Sequence, residues 1–122
     1  QGAGADLGHP PAVVVAREDW AREQGATILA RITGWGEVAG PDNSLHGQPA
    51  RAIQAALARV DWSAHDLDLI EINEAFAAVS IQSTRDLGVD PAIVNPHGGA
   101  IALGHPVGAS GARLTVHAAH ML

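Results

Sequence analysis

The 122 residues contain no cysteine. That excludes disulfides, thiolate metal sites and thiol catalysis within this chain. There is no lysine either, which removes Schiff-base chemistry and a phosphate-loop lysine. The seven basic residues are therefore all arginine, against 13 acidic ones, for a net charge of −6. Nucleic-acid phosphates need a basic face, so no nucleic-acid partner is expected. No apolar run approaches bilayer length, and no membrane partner is expected. The opening QGAGADLGHPP has neither the positive region nor the apolar core of a secretory leader. A cytoplasmic protein is the expectation.

The length suits one domain, able to bury roughly two-thirds of its unfolded surface. Ala12–Ala16 is a continuous apolar run and predicts a buried strand. Residues 17–24 predict a short helix stopped at Gly25. Thr27–Val38 predicts a strand bent at Gly34 and Gly36. Pro49 opens a helix whose apolar face is Ile53, Leu57 and Val60. Ser63 and Asp66 match a capping box. A strand is predicted over Leu67–Ile72, a helix over Ala75–Leu87 closed by Gly88, and a strand over Ala92–Asn95. A glycine-rich loop follows, then a helix from Ala109 to Leu122. Strands alternating with helices at crossover spacing predict an α/β layered architecture. Both ends read as cuts through a larger protein.

The loop GGAIALGHPVGASGAR, residues 98–113, surrounds one imidazole with small residues. His105 precedes Pro106, which biases it toward extended backbone. Glycines nearby leave room for a ligand or another backbone. An imidazole titrating near pH ~6.5 accepts and returns a proton at neutral pH. A tight turn with an incidental histidine is the competing reading. NEAFA, residues 73–77, lies at a predicted strand-to-helix junction, where ligands bind in α/β sheets. Asn73 can donate to a substrate oxygen or an ordered water. Taken alone, Asn73 reads better as a helix N-cap, with Glu74 favouring the helix dipole. Phe76, the only phenylalanine, reads as a helical core residue.

Together the two motifs strongly resemble the C-terminal domain of thiolases, the acetyl-CoA acetyltransferase family. DLDLIEINEAFAA and NPHGGAIALGHPVGASGAR follow the family pattern almost residue by residue. HGQPARAIQAAL fits its GPxPA-type helix opening. The resemblance implies a thiolase-like layered fold, a mixed sheet with covering helices. It divides the chain into 1–25, the end of the N-terminal domain, and 26–122, the C-terminal domain without its final strands. It implies acyl transfer between acyl-CoA thioesters, by Claisen condensation or thiolytic cleavage. His105 would activate a cysteine and line an oxyanion site, which Asn73 completes through a bound water. Gly99 and Gly104 would support that loop, and Ala75 and Phe76 would lie near the pantetheine arm of coenzyme A. GAGADLG resembles the family's coenzyme-contacting ASGLNDG loop, which brings in Gly4 and Ala3. Ala3 stands where a serine is usual, and Asp6-Leu7 replaces Asn-Asp.

The family's two cysteines belong to an N-terminal segment and to a CxGGG motif after the last helix. This chain alone is therefore expected to be inactive, with the missing thiolase segments supplied in a parent chain or in trans. The alternative is a noncatalytic thiolase-like fragment with a structural or assembly role. A ketoacyl-synthase type of condensing enzyme shares the architecture, but NEAFA speaks against it. The resemblance implies a homo-oligomer acting on a coenzyme A thioester substrate, with no permanently bound cofactor.

His117 and His120, three apart on one helix, read as partly exposed residues rather than metal ligands, and no metal is expected. His97 and His46 are lesser candidates for lining the site. Asp66, Asp68 and Glu71 read as a solvated acidic patch. Trp20, Trp35 and Trp62 read as core or interface residues.

Overall fold

The computed structural model describes residues 12–41 and 44–121. Among them are five α-helices: α1 (Glu18–Glu23), α2 (Gln48–Leu57), α3 (Ala77–Leu87), α4 (Ala100–Leu103) and α5 (Ser110–Met121). Single 3-10 turns cover Ala64–Asp66 and Pro91–Ile93.

The helices begin and end where local chemistry dictates. Pro occupies the first turn of α2, where its missing N–H costs nothing. Gly88 closes α3 in the left-handed region at φ 66°, a conformation that carries little strain only without a Cβ. Gly25 does the same after α1. Ser63 and Asp66 form the expected capping box: the Asp66 carboxylate accepts from the Ser63 N–H at 2.7 Å and from its hydroxyl at 2.8 Å.

The core is small. Ala50 of α2, Val79 and Leu87 of α3, and Ile70, Ile72 and Val89 are buried together. Ile53, Ala64, Leu67, Ile93 and Val94 pack around them.

The expected strands are the main correction. Among the described residues the one ladder contact is a parallel bridge between Ile70 and Val94. Val13, Val14 and Val15 are exposed, so 12–16 is not a buried strand here. Residues 27–38 join no ladder. Strand propensity alone cannot form a sheet, because a strand's N–H and C=O groups need a neighbour along its length. One parallel rung is what the described residues show of the expected mixed sheet. Gly34 and Gly36 also serve a purpose other than bending. A Cβ on Gly36 would lie 2.7 Å from the Ala56 nitrogen and nearer still to the Ala52 oxygen. These glycines let segment 34–36 lie directly against the backbone of α2.

Two further expectations change. The 98–113 stretch contains a full helical turn, α4, that glycine-rich composition concealed. Phe76 and all three tryptophans are more than half exposed, so none is a core residue here. Trp35 instead carries the Arg59 guanidinium 4.0 Å above its ring.

Candidate active site

Two short segments, 70–74 and 93–95, run side by side and build one wall of the site. The Ile70 N–H donates to the Ile93 oxygen, and the Asn95 N–H donates to the Ile70 oxygen, both at 2.9 Å. The next rung is made by a side chain. Asn95 Oδ1 accepts from the Ile72 N–H at 2.8 Å, and Asn95 Nδ2 donates to the Ile72 oxygen at 3.0 Å. Asn95 holds φ 48°, which Asn tolerates better than most residues.

Alternation along extended backbone sends Ile70 and Ile72 into the core. Glu71 and Asn73 therefore point the other way, toward the 105–117 region. Glu71 Oε1 lies 2.9 Å from His117 Nδ1 on α5. Asn73 Nδ2 lies 3.3 Å from His105 Nε2. The two residues tie one edge of the wall to both the histidine loop and the last helix.

Glu74 fastens the glycine loop to this wall. Its Oε2 accepts from the Ile101 N–H at 3.0 Å, and its Oε1 accepts from Asn95 Nδ2 at 3.2 Å. Gly99 is buried beneath it. A Cβ there would sit 2.6 Å from Asn95 Nδ2 and closer still to Glu74 Oε2. The glycine is required for close approach. Gly104, by contrast, has open space around it but adopts φ 93°, and this turn leads out of α4 into His105.

His105 is exposed, and its other ring nitrogen is held from behind. Nδ1 lies 2.7 Å from the hydroxyl of Ser110, which is buried at the start of α5. That hydroxyl also bonds the Pro106 oxygen at 3.1 Å. The turn between them is closed by the Ala109 and Ser110 N–H groups, which donate to the Pro106 oxygen at 2.7 and 2.9 Å.

The structure thus brings His105 and Asn73 into direct contact. At 3.3 Å no water fits between them, so an oxygen held by both must sit to one side of the pair. Asn73 Oδ1 is buried and has no partner among the described residues. The N-cap reading of Asn73 falls, because the N-cap of α3 is Phe76. Glu74 serves the loop rather than the first turn of α3. Ala75 and Phe76 are exposed beside the pair in sequence. Gly4 and Ala3 lie outside the described residues.

His117, His97 and His46 have other engagements. His117 meets Glu71, and His97 packs edge-on against the His117 ring at 5.3 Å. Glu71 is consequently almost wholly buried rather than part of a solvated patch. His46 offers its backbone oxygen to the Ser83 hydroxyl of α3 at 3.3 Å. Among the described residues no three His, Cys, Asp or Glu side chains cluster to hold a metal.

Sequence reasoning overlooked Ser110, Asn95 and Glu74 in these roles. Ser110, five residues after the histidine, carried a usable signal: one helical turn can bring a hydroxyl back to the ring. Asn95 and Glu74 carried none, since their partners are 23 and 27 residues away.

The family model described as the thiolase C-terminal domain matches residues 26–122. A probable acetyl-CoA acetyltransferase of Mycolicibacterium smegmatis is 57% identical over 108 residues, which are 88% of this chain and 28% of that protein. The cytosolic acetyl-CoA acetyltransferase of Mus musculus is 49% identical over 91% of this chain and 28% of its own length. The crystal structure of human mitochondrial 3-ketoacyl-CoA thiolase in complex with CoA superimposes with a TM-score of 0.79 at 46% identity, over 86% of this chain and 27% of that one. The chain spans about 28% of the length of the curated relatives it matches.

Proposed function

Because this chain belongs to the thiolase family, by its C-terminal domain, we propose that it supplies the base and two oxyanion donors for acyl transfer between acyl-CoA thioesters. The carrying observation is the Asn73 amide 3.3 Å from the imidazole of His105. In this reading His105 takes a thiol proton and the cysteine thiolate attacks the thioester carbonyl; on collapse the acyl–CoA C–S bond breaks and the coenzyme A sulfur leaves with that proton. Before that collapse the protonated ring and the Asn73 N–H face the same side and donate to the oxygen on which negative charge develops. The reaction is a Claisen condensation of two acyl-CoA units or its thiolytic reverse. No thiol is available within the 122 residues. The thiols belong to thiolase segments outside this chain, in a parent polypeptide or in trans.

The exposed Ala75 and Phe76 would then meet the pantetheine arm, and Ala3 and Gly4 would contact coenzyme A. The substrate is a coenzyme A thioester, and nothing is held permanently. Residues 1–25 complete an N-terminal domain, and 26–122 form the C-terminal one. The whole enzyme works as a homo-oligomer in the cytoplasm, in fatty acid metabolism. The cytosolic mouse relative supports that location. Among the described residues no helix is long and apolar enough to cross a membrane.

The test grafts residues 26–122 into the Mycolicibacterium smegmatis relative in place of its matching segment. The graft should cleave acetoacetyl-CoA. His105→Ala in it should lower kcat by about 10²–10³-fold, the usual loss for one oxyanion donor, while KM for coenzyme A changes little. Equal turnover by the two grafts overturns the assignment of His105. An inactive graft that nonetheless folds favours a structural role. The unmodified 122-residue chain should show no turnover, because it cannot form the covalent acyl intermediate.

A further inference from the structure

We propose that Ser110 is a positioning residue that holds His105 as the tautomer protonated on Nδ1, leaving Nε2 as the proton acceptor beside Asn73. A serine hydroxyl has one proton to give. Here it lies 3.1 Å from the Pro106 oxygen, in the back-bonding geometry that helical serines adopt toward the carbonyl four residues earlier. With its proton committed there, the hydroxyl oxygen is an acceptor toward the ring, and the 2.7 Å contact requires a proton on Nδ1. A neutral imidazole then carries none on Nε2. Asn73 presents Nδ2, a donor, to that nitrogen, so the assignment is consistent at both ends of the ring.

The chain of donors therefore runs in one direction, from Asn73 through the ring and Ser110 to the Pro106 carbonyl. At 3.3 Å the Asn73 bond is longer than the usual 2.9–3.0 Å, so a more acidic group such as a thiol can displace it by passing its proton to Nε2. Ser110 is only 3% exposed and sits at the first position of α5, so its hydroxyl is anchored by the helix rather than by a mobile loop. The opposite arrangement has Ser110 donating to Nδ1 and Nε2–H donating to a rotated Asn73 amide. It would strip the hydroxyl from the Pro106 oxygen and leave the ring unable to accept a proton on its open side.

The consequence for catalysis rests on the proposed role of His105 as base, but the tautomer does not. Long-range ¹H–¹⁵N correlation on the ¹⁵N-histidine-labelled chain reads it without any thiol or coenzyme. Seven histidines contribute signals, and His105→Gln identifies the one that matters. The wild-type ring should be in the Nδ1–H form. Ser110→Ala should shift the tautomer ratio by roughly tenfold, the size of one net hydrogen bond, and Ser110→Thr should restore it. An Nε2–H ring in the wild type, a mixture like that of free histidine, or a ratio unmoved by Ser110→Ala overturns the proposal. If Ser110→Ala loses chemical-shift dispersion, the wild type and Ser110→Thr decide, and both must show the Nδ1–H form. An Nδ1–H ring in a graft indifferent to His105→Ala would sink the proposed function and leave Ser110 in its role.

Discussion

At the scale of single residues, the site depends on side chains that stand in for backbone. Asn95 completes a rung of the Ile70–Val94 bridge with its amide, and Glu74 accepts from the Ile101 N–H and from Asn95 Nδ2. A hydrogen bond to a carboxylate contributes about 1.5–3 kcal/mol net. Glu74→Ala should therefore lower the stability of the chain by about that amount in urea unfolding, and Glu74→Gln, which keeps one acceptor oxygen, by less. Equal midpoints for wild type and Glu74→Ala would show that the loop is held by something else. The sequence pointed to His105 and Asn73 through the resemblance of their motifs to one family, and the structure sets the two side chains 3.3 Å apart. The sequence offered no comparable signal for Glu74, whose partners are set by the path of the chain.

At the scale of elements, punctuation was easier to read than pairing. Pro49, Gly25, Gly88 and the Ser63–Asp66 box all mark the boundaries they were expected to mark. The reason is that caps and stops act over three or four residues. The box also makes a pH prediction. The Ser63 backbone N–H and then its hydroxyl hold the Asp66 carboxyl below its ordinary value of 3.8. A depressed carboxyl stabilises the fold above its unfolded value, and that contribution fades as pH falls through the lower folded value. NMR titration should therefore place the Asp66 midpoint below 3.8, and Ser63→Ala should move it back toward 3.8. A midpoint unchanged by that substitution would mean the hydroxyl bond is not made in solution. Strands were less legible because pairing is non-local. Residues 27–38 have the composition of a strand, yet what they meet is the backbone of α2.

At the scale of the whole molecule, the chain exposes 8690 Å² for 12.5 kDa. A compact monomer of that mass exposes roughly 6,200 Å². Some of the excess is apolar: Val14, Ile32, Trp35, Phe76, Ile101, Leu103 and Val107 are all exposed. Several of these flank His105, so the candidate site is an open half rather than a cavity. Two hollows lined by residues 16–23 and 22–31 are shallow and lie on the N-terminal segment. Ile101, Leu103 and Val107 crowd the 101–107 stretch around His105, and grouped apolar exposure is uncommon on soluble monomers. The isolated chain should bind a hydrophobic dye strongly and self-associate at micromolar concentration, as sedimentation would show. Weak dye binding and a monomer would mean that the exposed face closes in solution.

The order of residues alone determined the family resemblance, the stops and caps of most helices and, through that resemblance, the two polar groups of the candidate site. Each of these is written in short spacings and in residue chemistry. Only the tertiary structure decided that Asn73 touches the ring directly, that Ser110 backs its other nitrogen, and that Glu74 clasps the glycine loop. Those contacts join residues brought together by the path of the backbone, and whether a donor finds an acceptor depends on that path rather than on either residue's identity.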